Sequence, residues 1–152
     1  MIKDFIFLDP GKLVDDELEL VLVKKIPAND ERSVVPYYEF EMKNMQTRET
    51  MGNIRLRIGY NERIHYGGQI GYDVKEEFRG QRFAARACKL LLPFAKRNGL
   101  TELWLTCDPE NKPSRRTVER LGAQLVEVVD LPEHNEQYQR GERQKCRYKI
   151  DL

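Results

Sequence analysis

Histidine, cysteine and tryptophan are scarce in this chain, and none of them is grouped. The 152 residues include two His, three Cys and one Trp. His65 and His134 lie far apart and lack the spacing with which one helix presents two imidazoles to a metal, so no metal site is expected. Cys88, Cys107 and Cys146 are odd in number and form no C-x-x-C pair, which marks them as reduced core thiols rather than a disulfide framework. Long apolar runs are missing too. No segment approaches the roughly 20 residues that span a bilayer. The N-terminal stretch MIKDFIFLDPGKL is broken at Asp9, Pro10 and Gly11, and it lacks the longer apolar region and cleavage site of a secretion signal. A cytoplasmic protein with no membrane partner is expected. Nor does either sign of charge dominate: 26 Lys+Arg stand against 25 Asp+Glu, a net charge of +1. Without a broad positive field, nucleic acid is not an expected partner.

What is present reads as one domain over residues 1–152. Charged residues make up 34% and hydrophobic residues 40%, a globular composition. A chain of this length buries roughly 68–70% of its unfolded surface, enough for an unstapled core. Period-two alternation predicts strands at Leu18/Leu20/Leu22, Tyr38/Phe40/Met42, Ile54/Leu56/Ile58 and Ile70/Tyr72/Val74. The stretch from Tyr60 to Gly68 reads as a polar loop. The period then changes: Phe83, Ala87, Leu90, Leu91, Phe94 and Ala95 form the apolar stripe of a helix that Gly99 would end. A strand at Glu102 to Cys107, a short helix at about Lys112 to Leu121, and strands at Gln124 to Asp130 and Arg143 to Asp151 complete the order. Hairpin-length connections followed by one long helical crossover indicate an α/β domain with a mixed, mostly antiparallel sheet.

The chemistry concentrates where the fourth predicted strand meets the long helix. There Arg79-Gly80-Gln81-Arg82-Phe83-Ala84 opens a helix whose first N–H groups lack internal partners and point along its positive dipole end. Such a turn can cradle a phosphate, and Gly80 and Ala84 leave room for one. Walker-type binding is disfavoured because no G-x-x-x-x-G-K-[ST] occurs, and a Rossmann reading lacks its G-x-G-x-x-G. Downstream, Asn111 and Ser114 occupy N-cap and first-turn positions, which these residue types favour with or without a ligand. Cys107 ends a strand, where cysteine usually acts as a small hydrophobe.

Arg79 to Ala84 resembles the acetyl-CoA-binding motif of the GNAT acetyltransferases, Gln/Arg-x-x-Gly-x-Gly/Ala. Asn111-x-x-Ser114, followed by Glu119-x-x-Gly122, is similar to the Rim-like branch of that superfamily. With the strand order, the resemblance extends over about residues 17 to 151. It implies a GNAT-like central sheet of about seven strands with flanking helices. Acetyl-CoA would be the cosubstrate, an amine the acceptor, and acetyl transfer would proceed by direct attack. The pantetheine would lie between two splayed strands, pairing with backbone near Tyr72 and Val74. The N–H groups of Arg79, Gly80, Gln81, Arg82, Phe83 and Ala84 would hold the pyrophosphate. Asn111 would bond the pantetheine, and Ser114 would lie near the sulfur.

Three departures qualify the resemblance. Arg82 stands where relatives carry a glycine. Val118 replaces the tyrosine that protonates the departing thiolate, leaving Ser114, a water or Tyr138. Only Ile26 to Pro36 is available for the family's first two helices, so that pair is shortened or missing and the acceptor site is either open or completed by a second subunit of a homodimer. Tyr60, Glu62, His65 and Tyr66 are the acceptor-side candidates, with Tyr138 opposite. The alternative is a non-catalytic CoA-binding regulatory domain.

Overall fold

The computed structural model describes residues 5–152. Strands β1 (Leu13–Asp15), β2 (Leu18–Ile26), β3 (Tyr37–Asn44), β4 (Thr50–Arg57) and β5 (Ile70–Val74) form an antiparallel five-stranded sheet in that order. A short helix, α1 (Glu62–Gly67), connects β4 to β5, and the long helix α2 (Phe83–Arg97) follows β5. After β6 (Glu102–Cys107), α3 (Lys112–Arg120), β7 (Gln124–Asp130) and α4 (Glu136–Gln139), strand β8 (Gln144–Asp151) inserts between its neighbours to give a three-stranded sheet ordered β6-β8-β7.

The alternating residues sort as their period requires. Leu18, Leu20, Tyr38, Phe40, Met42, Ile54 and Leu56 face the core, where α2 adds Phe83, Ala87, Leu91, Phe94 and Ala95. The Tyr38 ring meets the Phe94 ring edge-on at 4.8 Å. Its buried hydroxyl is satisfied twice, donating to Asn98 Oδ1 at 2.7 Å and accepting from Leu8 N–H at 2.8 Å.

The two sheets share one core and are hydrogen-bonded to each other at Gln69. Gln69 N–H donates to the Trp104 carbonyl at 2.8 Å, and Trp104 N–H donates to Gln69 Oε1 at 2.8 Å. Gln69 is 3% exposed, so these bonds form a dry hinge. Beyond it β5 and β6 share no ladder, and the gap between them opens toward Val74 and Cys107. The mixed, mainly antiparallel fold with flanking helices agrees with the sequence reading, though eight strands are divided between two sheets.

Two local features differ from the periodicity. The stretch read as a loop before β5 contains α1, whose N-cap Asn61 accepts from Ile64 N–H at 3.0 Å. Six residues are under two turns, too few for an apolar period to register. The three-residue β1 escaped for the same reason. Between β2 and β3, residues 27–36 form no helix. They turn back through a bridge in which Asn29 and Val34 exchange two 2.9 Å bonds. The face of the five-stranded sheet opposite α2 is therefore not covered by a first helical pair. Among the described residues, no helix is long and apolar enough to cross a membrane.

Candidate active site

The turn into α2 is built to present backbone donors. Gly80 has φ +85° and Arg82 φ +63°, so left-handed residues break the regular chain on either side of Gln81. Among the described residues, the N–H groups from Gly80 to Ala85 donate to no protein acceptor; the first helical bond of the turn is Arg86 N–H to the Arg82 carbonyl. Gly80 to Arg82 are exposed, and a Cβ at Gly80 would have nothing within 4 Å. Consecutive unsatisfied N–H groups at the positive end of a 15-residue helix make a cradle that fits a pyrophosphate. Arg82 fills the position where glycine adopts a left-handed φ without strain; the chain accepts that local cost.

The edge of β5 is equally prepared. Lys75 N–H bonds the Met51 carbonyl and Arg57 N–H the Gln69 carbonyl, each at 2.8 Å. Antiparallel alternation from these pairs directs the backbone groups of Tyr72 and Val74 away from β4 and into the gap. The Val74 carbonyl accepts from Arg79 Nε at 3.0 Å, tying the strand end to the cradle. Across the gap, the Tyr72 hydroxyl and Ser114 Oγ lie 2.9 Å apart. Burial raises the Tyr72 phenol above its ordinary value, and the bond from Ser114 offsets part of that rise. Asn111 caps α3, its side chain accepting from Ser114 N–H at 3.2 Å. Both line a cleft of about 480 Å³ together with Thr106, Cys107, Glu142 and Lys145.

An acetyltransferase (GNAT) domain model matches residues 13–124. The chain belongs to the GNAT acetyltransferase family. Among solved structures, a putative ribosomal-protein-serine acetyltransferase from Vibrio cholerae is similar at 17% identity and TM-score 0.65, over 95% of this chain and 100% of that one. A ribosomal-protein-S5-alanine acetyltransferase from Vibrio fischeri is similar at 12% identity and TM-score 0.69, over 92% and 96%. The acetyltransferase from Bacillus anthracis is 21% identical with TM-score 0.61, and the match spans 74% of this chain but 65% of that one. At these identities the likeness is one of fold. No curated protein matches the sequence. Family membership carries acetyl-CoA-dependent N-acetyltransferase chemistry.

In this GNAT acetyltransferase, the residues chosen from sequence fall into two groups. The turn from Arg79 to Ala84, the β5 edge at Tyr72 and Val74, and Asn111 with Ser114 converge around one gap. His65 and Tyr138 sit apart from that group. His65 lies on α1, and its Nδ1 is 2.7 Å from the Tyr60 hydroxyl. Arg147 Nη2 donates to the same hydroxyl at 2.9 Å. A guanidinium only donates, so the Tyr60 hydroxyl accepts from Arg147 and shares a second hydrogen bond with His65 Nδ1. Burial, then the Arg147 charge, lowers the His65 pKa. Tyr138 lies on α4 under the Arg143 guanidinium, 3.9 Å from its ring centre. The segment before α4 reaches α1 through His134 Nε2 and Glu62 Oε1, 3.0 Å apart. Val118 is 1% exposed and packs in the core. Burial is the main cause that raises the Cys107 thiol to about 11, so it is not a thiolate nucleophile at neutral pH.

Arg147 was not singled out from sequence, yet it organises this side of the molecule. It is 2% exposed, pairs with Glu127 Oε2 at 2.9 Å, donates to the His65 carbonyl, and lies over the Trp104 ring at 4.3 Å. The cluster makes stability pH-dependent. Unfolded histidine titrates near 6.5 and folded His65 below it, so in that window the unfolded chain binds more protons. Stability is therefore expected to fall as pH drops below about 6.5 toward the folded value. Replacing His65 with Gln should flatten that part of a melting-temperature profile taken between pH 8 and pH 5. An unchanged slope would place the titrating group elsewhere.

Proposed function

We propose that this acetyltransferase moves the acetyl group of acetyl-CoA to a primary amine, of a small molecule or a peptide N-terminus, by direct attack. The row of unpartnered N–H groups from Gly80 to Ala85 carries the reading, because it is a concave donor set with no acceptor of its own. It would hold the pyrophosphate. The inward-facing backbone of Tyr72 and Val74 would pair with the pantetheine, and Asn111 would bond its amides. A neutral amine, deprotonated by a carboxylate or through water, attacks the thioester carbonyl. The tetrahedral species collapses with loss of CoA thiolate, and Ser114 returns the proton to sulfur while Tyr72 holds its hydroxyl. Positioning and acid–base assistance, the latter typically worth about 10²–10⁴-fold, supply the acceleration. His65 and Tyr138 would wall the acceptor side.

We further take the protein to be a single domain acting in the cytoplasm, consistent with its three reduced thiols. A homodimer would shelter the face that the first helical pair leaves bare. Val118, turned into the core, favours a second reading as a CoA-binding regulatory domain, since the usual acid is missing.

Thermal unfolding with acetyl-CoA, and with ATP and NAD as controls, tests the cosubstrate. Saturation at 100 times Kd adds about 2.7 kcal/mol, which at roughly 2–4 °C per kcal/mol is a rise of several degrees. A rise with acetyl-CoA alone is expected. An equal response to ATP would indicate a generic phosphate site, and binding without thiol release from any amine would favour the regulatory reading.

A further inference from the structure

The face opposite α2 carries an arginine cluster in which Arg57 has no ion-pair partner among the described residues. Arg55 and Arg57 point outward from β4, alternating with the core residues Ile54 and Leu56. Both guanidiniums converge over Gly71 of β5: a methyl group there would lie 3.0 Å from Arg57 Nη2 and 3.2 Å from Arg55 Nη2. Arg55 bonds Asn53 Oδ1 at 2.8 Å and reaches Asp73 at 3.5 Å. The Arg57 guanidinium has one hydrogen bond, from Nη1 to the Gly68 carbonyl at 3.0 Å, and among the described residues it forms no ion pair. Burial, followed by the neighbouring Arg55 charge, lowers its pKa, and Arg63 of α1 adds to that repulsion. Arg63 in turn donates to the Arg32 carbonyl at 3.4 Å, and neither Arg63 nor Arg32 forms an ion pair among the described residues. The connection bearing Arg32 is held against α1 by Asn61 Nδ2, which donates to the Ser33 carbonyl at 2.7 Å.

Gathering like charges at partly buried positions costs stability unless an anion completes the site. Of the carboxylates on this face, Glu41 accepts from Thr50 and pairs with Lys43, Asp73 reaches Arg55, and Glu39 stands opposite Arg55 in the β3–β4 register; among the described residues none of them pairs with Arg57. The position of the cluster gives it a function. Gly71 precedes Tyr72 on β5, and its missing side chain lets the two guanidiniums settle over the strand on the face away from α2. The Tyr72–Ser114 bond bridges the gap on its helical side, and the arginines stand on its other face.

We propose that Arg57 and Arg55, with Arg63 and Arg32 at the rim, bind a carboxylate on the acceptor, so that the preferred substrate is a primary amine with a carboxylate a few bonds away. The inference rests on the acetyltransferase reading and names the substrate class of that site. A free acidic amino acid and an acidic N-terminal residue share this chemistry. Guanidinium–carboxylate recognition is planar and bidentate, so charge alone does not reproduce it.

The experiment compares acetylation of L-aspartate with that of its diamide, and of Asp-Ala amide with Asn-Ala amide, in the wild-type protein, Arg57→Gln and Arg57→Lys. The wild type should favour carboxylates on the order of 10- to 100-fold in kcat/KM, the discrimination of a charge-assisted hydrogen bond worth about 1.5–3 kcal/mol. That ratio should collapse toward one in Arg57→Gln and recover only partly in Arg57→Lys, which also guards against a folding defect. Whether free aspartate or the peptide responds identifies the source. A second readout needs no acetyl-CoA: aspartate should move the arginine Nε–H NMR signals of Arg55 and Arg57. Amides acetylated as well as carboxylates, or signals that stay still, would overturn the carboxylate site and leave the enzyme reading intact. Signals that move while no amine is acetylated would support the site and sink the enzyme reading.

Discussion

Gly80→Val is expected to weaken acetyl-CoA binding at least about tenfold while the protein remains folded, because a β-branched residue opposes the left-handed backbone there. The reason is conformational, since Gly80 has φ +85° and nothing stands within 4 Å of an added Cβ. Valine would fit the space but not the backbone. Relaxing to negative φ would redirect the N–H groups of Gly80, Gln81 and Arg82 that define the cradle. The stability loss should be near 1–2 kcal/mol, the cost of one left-handed residue. Calorimetric titration with CoA measures the first effect and thermal unfolding the second. Gly99→Ala is the control: φ there is +92°, also with nothing within 4 Å, but the residue follows the far end of α2. It should lose comparable stability and bind CoA normally. Normal binding by Gly80→Val would move the pyrophosphate elsewhere.

Ser114→Ala should produce the largest kinetic effect, a fall in kcat of about 10²–10⁴ with a smaller change in KM for acetyl-CoA, as loss of a proton donor to the leaving group predicts. With Val118 buried, the proposed donor is the Ser114 hydroxyl, held at 2.9 Å from Tyr72. Tyr72→Phe removes only the holding group and should cost less. In the double variant the two losses should not add, since both act through one hydroxyl. The raised Tyr72 pKa keeps that phenol protonated through neutral pH, so the wild-type rate should show no loss from its ionisation below about pH 10. Additive losses, or full activity in Ser114→Ala, would assign the proton to another group.

Much of this site is legible along the chain because its parts are local. The cradle expected at Arg79 to Ala84 is six consecutive residues; the structure shifts it by one, to Gly80 to Ala85, because Arg79 N–H is taken by the Glu76 carbonyl at 3.2 Å. Asn111 and Ser114 are three residues apart on one helix turn, so cap and candidate ligand are read together. Strand alternation assigns Tyr72 and Val74 to one face, but only the register with β4 directs their backbone groups into the gap. The Tyr72–Ser114 bond joins residues 42 positions apart, and no local pattern announces it. The arginine cluster hid in plain view. Arg55 and Arg57 look like the polar half of any strand until the fold removes a facing side chain at Gly71 and brings up Arg63.

The sequence by itself determined the strand–helix order, the glycine-bearing turn into α2 and the missing first helical pair, since each depends on propensity and spacing over a few residues. Tertiary structure decided the rest. Side-chain contacts between distant segments follow from packing, so only the folded chain shows Gln69 serving as the hinge between two sheets. It also sets Arg147 against the His65 carbonyl and the Tyr60 hydroxyl, through bonds spanning 82 and 87 residues, and burial with that charge lowers the His65 pKa. Folding likewise leaves Arg57 without a carboxylate partner among the described residues. Desolvation and charge pairing arise from that packing, and a linear pattern does not encode them one residue at a time.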